Sequence, residues 1–199
     1  MNRPTPVYAV VLAAGCSRRF GSDKRFANLE SGAGLLEASV AALGTAPDET
    51  FVVIRPEDRK TGRFTDTRLR YLVSKRAADG MAYSLAGAVR QLPPACHVMV
   101  ALGDMPHIQN QTVDALVRHF RQSARSAPIV FPLFTPEDKR TAPRRGHPVI
   151  FHRHYREELE ALVGDKGAGG ILAAHPDAHD PLEVNDRGVI DDIDRPSDL

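Results

Sequence analysis

Tryptophan is absent from the 199-residue chain, and the other aromatics amount to eight Phe and four Tyr. That scarcity argues against a nucleic-acid binder built on rows of stacking rings. Charge of one sign is missing too, with 26 Lys and Arg against 25 Asp and Glu. No overall field draws nucleic acid or an acidic membrane, so any anion site must be local. Only two cysteines occur, Cys16 and Cys96. Neither belongs to a CxxC pair or a metal-spaced cluster, which excludes a disulfide-dense scaffold and suits a reducing compartment. The apolar run Val7 to Ala14 is too short to span a bilayer, and Met1 to Pro6 lacks the apolar core and small-residue cleavage site of a secretory signal. These absences predict a cytoplasmic protein with no membrane or nucleic-acid partner. No repeat, low-complexity tract or linker divides the chain, so residues 1–199 read as one domain, a monomer or weak oligomer. No Ser/His/Asp triad is recognisable.

What is present alternates between two periodicities. Val7 to Ala14 is a continuous apolar run ending at Gly15, the pattern of a parallel strand covered on both faces. Leu35, Leu36, Ser39, Val40 and Leu43 then recur at helical spacing, and Phe51 to Ile54 reads as the next strand. Tyr71 to Val73 predicts a short strand, Met81 to Leu92 a helix and His97 to Leu102 a strand. Val113, Leu116, Val117 and Phe120 form a helical stripe, and Ile129 to Phe131 is strand-like. Pro132 to Pro148 is a long connection carrying Lys139, Arg140, Arg144 and Arg145. Val149 to Phe151, a helix around Tyr155 to Val163, and the terminal pieces Leu182 to Val184 and Val189 to Ile193 complete the pattern. The alternation predicts a three-layer α/β domain with an open, mostly parallel, Rossmann-like sheet. Ligands of such sheets gather at the carboxyl ends of the strands, here the loops after Ala14 and Leu102.

The first of those loops, Gly15 to Lys24, combines small residues, the Ser17 hydroxyl and the cations Arg18, Arg19 and Lys24. Small residues allow close backbone approach, and exposed amides and cations suit phosphate oxygens. It has neither the Gly-Lys-Ser/Thr ending of a Walker A loop nor a GxGxxG dinucleotide fingerprint. In the second loop, Gly103-Asp104-Met105-Pro106 follows an apolar run, so Asp104 projects from a strand end as a natural Mg²⁺ ligand. A solvated basic turn and an Asp in a turn before proline are the plain alternatives. Eight histidines invite a zinc reading. However, Pro176 prevents His175 and His179 from forming a helical i, i+4 pair, and no Cys or carboxylate completes His147, His152 and His154.

The spelling Leu12-Ala13-Ala14-Gly15 through Ser17 and Gly21 to Lys24 resembles the signature of the MobA-like nucleotidyltransferases, which include the enzymes that guanylate or cytidylate the molybdenum cofactor. The resemblance continues through Gly80 to Leu85, Gly103 to Pro106, Arg145 to Phe151, Gly164 to Ala168 and Asp192 to Leu199, covering nearly the whole chain. The cytidylyltransferases look closest, because the guanylyl branch more often reads LAGG in the first loop. The resemblance implies the nucleotide-diphospho-sugar transferase type of fold and transfer of CMP from CTP to molybdenum cofactor with release of pyrophosphate; a guanylyltransferase, another small-phosphate nucleotidyltransferase and a non-catalytic NTP-binding relative are the alternatives. It implies a nucleotide held by Leu12, Ala13, Ala14, Gly15, Ser17, Gly80, Met81 and Ser84, with Arg18 and Lys24 drawing charge off the phosphates. Mg²⁺ would sit on Asp104 and Asp194, with Asp192 as the competing choice for the second ligand, and His147 and Asp165 would meet the acceptor. A maturation chaperone of molybdenum hydroxylases is the partner so implied. Three places depart from the pattern: Ser74-Lys75-Arg76 replaces an Asn-Pro pair, Gly169 replaces an Arg, and Arg25 to Asn28 is more basic and polar than usual.

Overall fold

The computed structural model describes residues 4–15, 17, 20–62, 64, 66, 69–136 and 141–199. Strand β1 (Val7–Leu12) buries Val7, Ala9 and Val11 on one side and Val10 on the other, as the two-residue pleat requires. Parallel strands flank it: β2 (Glu49–Ile54) on one edge and β4 (His97–Leu102) on the other, with β3 (Arg70–Val73) parallel to β2. Beyond β4 the sheet becomes mixed. β5 (Ile129–Phe134) pairs antiparallel with β6 (Arg144–Arg145) and β7 (Val149–Phe151), and β7 is also antiparallel to β4. β8 (His179–Val184) runs parallel to β5 along its whole length. Since β8 fills one edge of β5, β6 and β7 share the other as one interrupted strand, broken at Gly146-His147-Pro148, where the His147–Pro148 peptide is cis.

Helices cover both faces. The apolar stripes of α1 (Leu35–Ala41) and α4 (Asn110–Gln122) pack Leu36, Val113, Leu116, Val117 and Phe120 onto Val11, Val52 and Met99. On the opposite face, α3 (Met81–Val89), α5 (Arg156–Glu160) and α6 (Gly169–Ala174) set Leu85, Val89, Leu159 and Leu172 against Val10, Val53 and Val98. The chain is thus an α/β single domain of three layers on a mixed, mostly parallel sheet, as expected. No helix among the described residues is long and apolar enough to cross a membrane.

Several boundaries differ from the sequence reading. β1 stops at Leu12, where its pairing with β4 ends; Ala13, buried like Ala14, still donates its N–H to the Val53 carbonyl at 3.2 Å. The anticipated helix to Leu92 ends at Val89, and Gln91 and Leu92 close it in tighter turns. The long connection shortens to residues 135–143, since β5 continues to Phe134 through Pro132, whose carbonyl accepts from Gly146 N–H at 2.8 Å. A helix that apolar periodicity did not reveal, α2 (Pro56–Thr61), follows β2. Its first turn carries Pro56, Glu57 and Asp58 and its last Arg59 and Lys60, the order that favours both helix ends.

Candidate active site

β1 and β4 are parallel and in register to their last pair, Leu12 and Leu102, so the two singled-out loops leave the sheet side by side. Gly103 keeps them close: its N–H donates to Leu12 O at 3.1 Å, and a Cβ there would lie 2.9 Å from Leu36 and 3.1 Å from Ala13. Between the loops opens a cleft of about 480 Å³. Its walls include Leu12, Ala13, Ala14, Gly15 and Ser17 from the first loop and Gly103 and Asp104 from the second. The start of α3 supplies Gly80, Met81 and Ser84. Gly80 has φ 137°, and a Cβ there would lie 2.3 Å from Asp165 and 2.4 Å from the Gly164 carbonyl, so only glycine lets the Gly164-Asp165 turn close this side. Asp165 lines the mouth.

The floor is acidic. Ile193 N–H donates to Asp104 O at 2.9 Å, which folds the C-terminal segment back over the end of β4 and delivers Asp192 and Asp194 beside Asp104. One carboxylate oxygen from each of the three lies within 4.8 Å of the others. An ammonium stands among them: Lys24 Nζ reaches Asp104 Oδ2 at 2.8 Å, Asp194 Oδ1 at 3.2 Å and the Ile193 carbonyl at 2.7 Å. Those three contacts use all three of its donors. Burial acts to lower the Lys24 pKa, but the bonds to Asp104 and Asp194 outweigh it and the net shift is upward. Burial, opposed by Lys24 and reinforced by Asp192 and Asp194, raises that of Asp104. Asp104 Oδ1 is buried and has no hydrogen-bond partner among the described residues. Three converging carboxylates, one with a desolvated oxygen left open, form a donor set that suits a hard divalent cation.

One residue further along the chain, the chemistry is different. Arg25 is 6 % exposed, and each of its five N–H groups has an acceptor. Nε and Nη2 donate to the two oxygens of Asp23 at 2.7 and 2.5 Å, Nη2 and Nη1 to the two of Asp58 at 2.8 and 2.6 Å, and Nη1 also to the Ala13 carbonyl at 3.0 Å. Arg55 donates to Asp23 through Nη2 and, through its backbone N–H, to Asp58 at 2.8 Å, so Asp58 caps α2 as well. The guanidinium also lies 5.1 Å from the Phe64 ring and 5.5 Å from that of Phe26. The phosphate-suited loop is thereby fastened to the ends of β1 and β2, and the Ala13 carbonyl is committed to Arg25.

The structure brings Leu12, Ala13, Ala14, Gly15, Ser17, Lys24, Gly80, Met81, Ser84, Asp104, Asp165 and Asp194 to one cleft together with Asp192, the competing choice, and adds Arg25. Arg18 lies outside the described residues. His147 does not line the cleft: it sits in the break between β6 and β7, where burial lowers its pKa against an opposing pull from the Val100 carbonyl. Its Nδ1 is buried without a partner among the described residues. Ser74, one of the departures from the family pattern, is a buried residue whose hydroxyl bonds that of Ser84 at 3.2 Å. A side chain at Gly169 would meet open space. The pair His175 and His179 splits between Glu158 and the Leu172 carbonyl. The Asp23, Arg55 and Asp58 network escaped sequence reasoning; only the unusual polarity after Lys24 signalled it.

A family model described as the MobA-like NTP transferase domain matches residues 9–179. Among curated proteins none matches the chain. Of solved structures, the homologue of Mycobacterium tuberculosis Rv0371c from Mycobacterium sp. strain JC1 is 27% identical, with 96% of this chain and 92% of that one covered at a TM-score of 0.78. A manganese complex of Rv0371c from M. tuberculosis H37Rv is 21% identical, covering 92% and 89%, TM-score 0.70. Molybdopterin-guanine dinucleotide biosynthesis protein A from Archaeoglobus fulgidus is 19% identical, covering 96% and 94%, TM-score 0.66. With its family model spanning both loops of the cleft, the chain belongs to the MobA-like NTP transferases, a family of nucleotidyltransferases.

Proposed function

We propose that the chain transfers CMP from CTP to the molybdenum cofactor and releases pyrophosphate, with Mg²⁺ as the cation. The observation that carries this reading is the carboxylate floor: Asp104, Asp192 and Asp194 converge beneath a loop suited to phosphates, and Asp104 Oδ1 is open. Bound there, Mg²⁺ would neutralise phosphate charge and hold the triphosphate for in-line attack. The manganese complex of the mycobacterial relative supports a divalent ion in this fold.

The protein's own part is positioning. In this reading the Ala14 to Ser17 segment and the start of α3 grip the nucleotide, and Arg18 and Lys24 offset the charge of the leaving pyrophosphate. A phosphomonoester acceptor is already anionic, so no general base is needed. Asp165 orients the acceptor, and His147, which does not line the cleft, has no contact with it in this reading. The Ala14 methyl, in place of a second glycine, narrows the base pocket toward a pyrimidine. This reading places the reaction in the cytoplasm and implies a delivery chaperone of molybdenum hydroxylases as partner. The test is pyrophosphate release with each NTP, with and without molybdenum cofactor. Cofactor-dependent release with CTP supports the proposal, whereas preference for GTP overturns the base assignment and release only with another phosphorylated acceptor overturns the acceptor.

A further inference from the structure

The opposite end of the sheet carries a second cleft, separated from Asp104 by the six residues of β4, roughly 20 Å at about 3.3 Å per residue. Its volume is about 300 Å³, and its lining includes Thr5, His97, Phe120, Arg121, Arg125 and His152. His97 opens β4, and the pairing of Val98 with Phe151 sets His152 beside it, ring centroids 4.7 Å apart. Phe120 of α4 lies edge-on to His97 at 4.8 Å.

The two imidazoles are oriented alike. His97 Nδ1 accepts the backbone N–H of Arg153 at 3.1 Å, and His152 Nδ1 that of His154 at 3.2 Å. A ring nitrogen that accepts carries no proton, so in the neutral ring the proton is on Nε2. Both rings are kept neutral. Burial, then His152, Arg153 and Arg121, bring the His97 pKa down to about 4, and burial, then Arg153 and His154, lower that of His152. Neither Nε2 has an acceptor among the described residues, and both rings line the cleft. The same tautomer disfavours a metal, because a neutral imidazole ligating through Nε2 must be protonated on Nδ1, which here faces an N–H. At the rim, Arg121 gives one contact to Asp48 and Arg125 one to the Asp177 carbonyl, leaving most of their five donors available.

We propose that this cleft is a binding site for a phosphate oxyanion, free or as the phosphoryl group of a small metabolite, held by the Nε2–H groups of His97 and His152 and the guanidiniums of Arg121 and Arg125. Donors without acceptors, cationic neighbours and an aromatic floor together match a small tetrahedral anion. The site is distinct from the nucleotide cleft and does not depend on what that cleft transfers.

Histidine-selective NMR reads it directly, since signals of His97 and His152 report this cleft and not the catalytic one. Inorganic phosphate, titrated at constant ionic strength near neutral pH, should shift both rings saturably, while chloride should not. Arg125→Ala, at an exposed position, should weaken the binding about tenfold, the loss expected of a charge-assisted hydrogen bond. His152→Phe, which keeps the ring packing, should weaken it similarly. Glycerol phosphate binding more tightly than phosphate would identify a phosphorylated metabolite as the ligand, and weaker binding the free ion. Either order supports the site. Shifts that fail to saturate, that chloride reproduces, or that persist unchanged in Arg125→Ala would overturn the proposal.

Discussion

Lys24 and Arg25 are neighbours in the chain, yet they belong to ionic clusters of opposite character. Around Arg25, two guanidiniums face two carboxylates, and all five Arg25 donors are met. Around Lys24, the ammonium meets Asp104 and Asp194 with Asp192 beside them, and Asp104 Oδ1 stays buried without a hydrogen-bond partner among the described residues. Converging carboxylates with a desolvated oxygen left open are a donor set that a hard divalent cation prefers. Balance marks the first cluster as a fastening of the loop. The open Asp104 oxygen sets the second apart, and the proposed function reads that cluster as completed by ligand.

That contrast makes predictions that differ in kind. The largest effect belongs to Asp104→Asn, which should cut metal-dependent turnover by at least about 10³-fold, equivalent to about 4 kcal/mol, while the melting temperature holds or rises because a buried carboxylate repelled by Asp192 and Asp194 is gone. Pyrophosphate release and a thermal melt check it together, and a variant that loses stability in step with activity would erase the distinction. Arg25→Met should do the reverse, costing about 3 to 4 kcal/mol in urea unfolding by stranding Asp23 and Asp58. If it unfolds no more easily than the native chain, the fastening role is wrong. Lys24→Ala should raise the KM for NTP about tenfold and slow transfer as well. It should also make the melting temperature more responsive to added Mg²⁺, since Asp104 and Asp194 then lose the ammonium they share.

The smallest effect lies at the far end of the sheet. The His97 pKa of about 4 in the folded protein is below the ordinary 6.5, so the folded state binds the proton less readily than the unfolded one. The stability this brings is complete above about pH 6.5 and is lost as pH falls toward about 4. His97→Gln should therefore flatten that part of the acid-unfolding curve, and an unchanged curve would assign the acid sensitivity elsewhere.

How much of this was legible beforehand follows from which forces write themselves into local sequence. Burial on both faces of β1 and β4 forces apolar runs, so both strands and the loops at their ends could be read directly, as could the helical stripe of α4. Asp104 was legible because it ends such a run. Asp192 and Asp194 were harder to rank, because what puts both beside Asp104 is a long-range hydrogen bond from Ile193 to the end of β4, which no periodicity encodes. The Arg25 network was hidden for the same reason: Asp58 is 33 residues away and buried by pairing rather than by apolarity. Pro132 misled in the opposite direction, suggesting a loop where β5 continues with its carbonyl still bonded.

The central claim is that the Asp104, Asp192 and Asp194 cluster holds a divalent cation with the nucleotide. Mn²⁺ binding followed by electron paramagnetic resonance, with and without CTP, tests it most directly in the native chain and in Asp104→Asn. The account predicts Mn²⁺ uptake tightened by CTP in the native protein and weakened at least about tenfold in the variant, with folding intact. Equal Mn²⁺ affinity in the two proteins would contradict it.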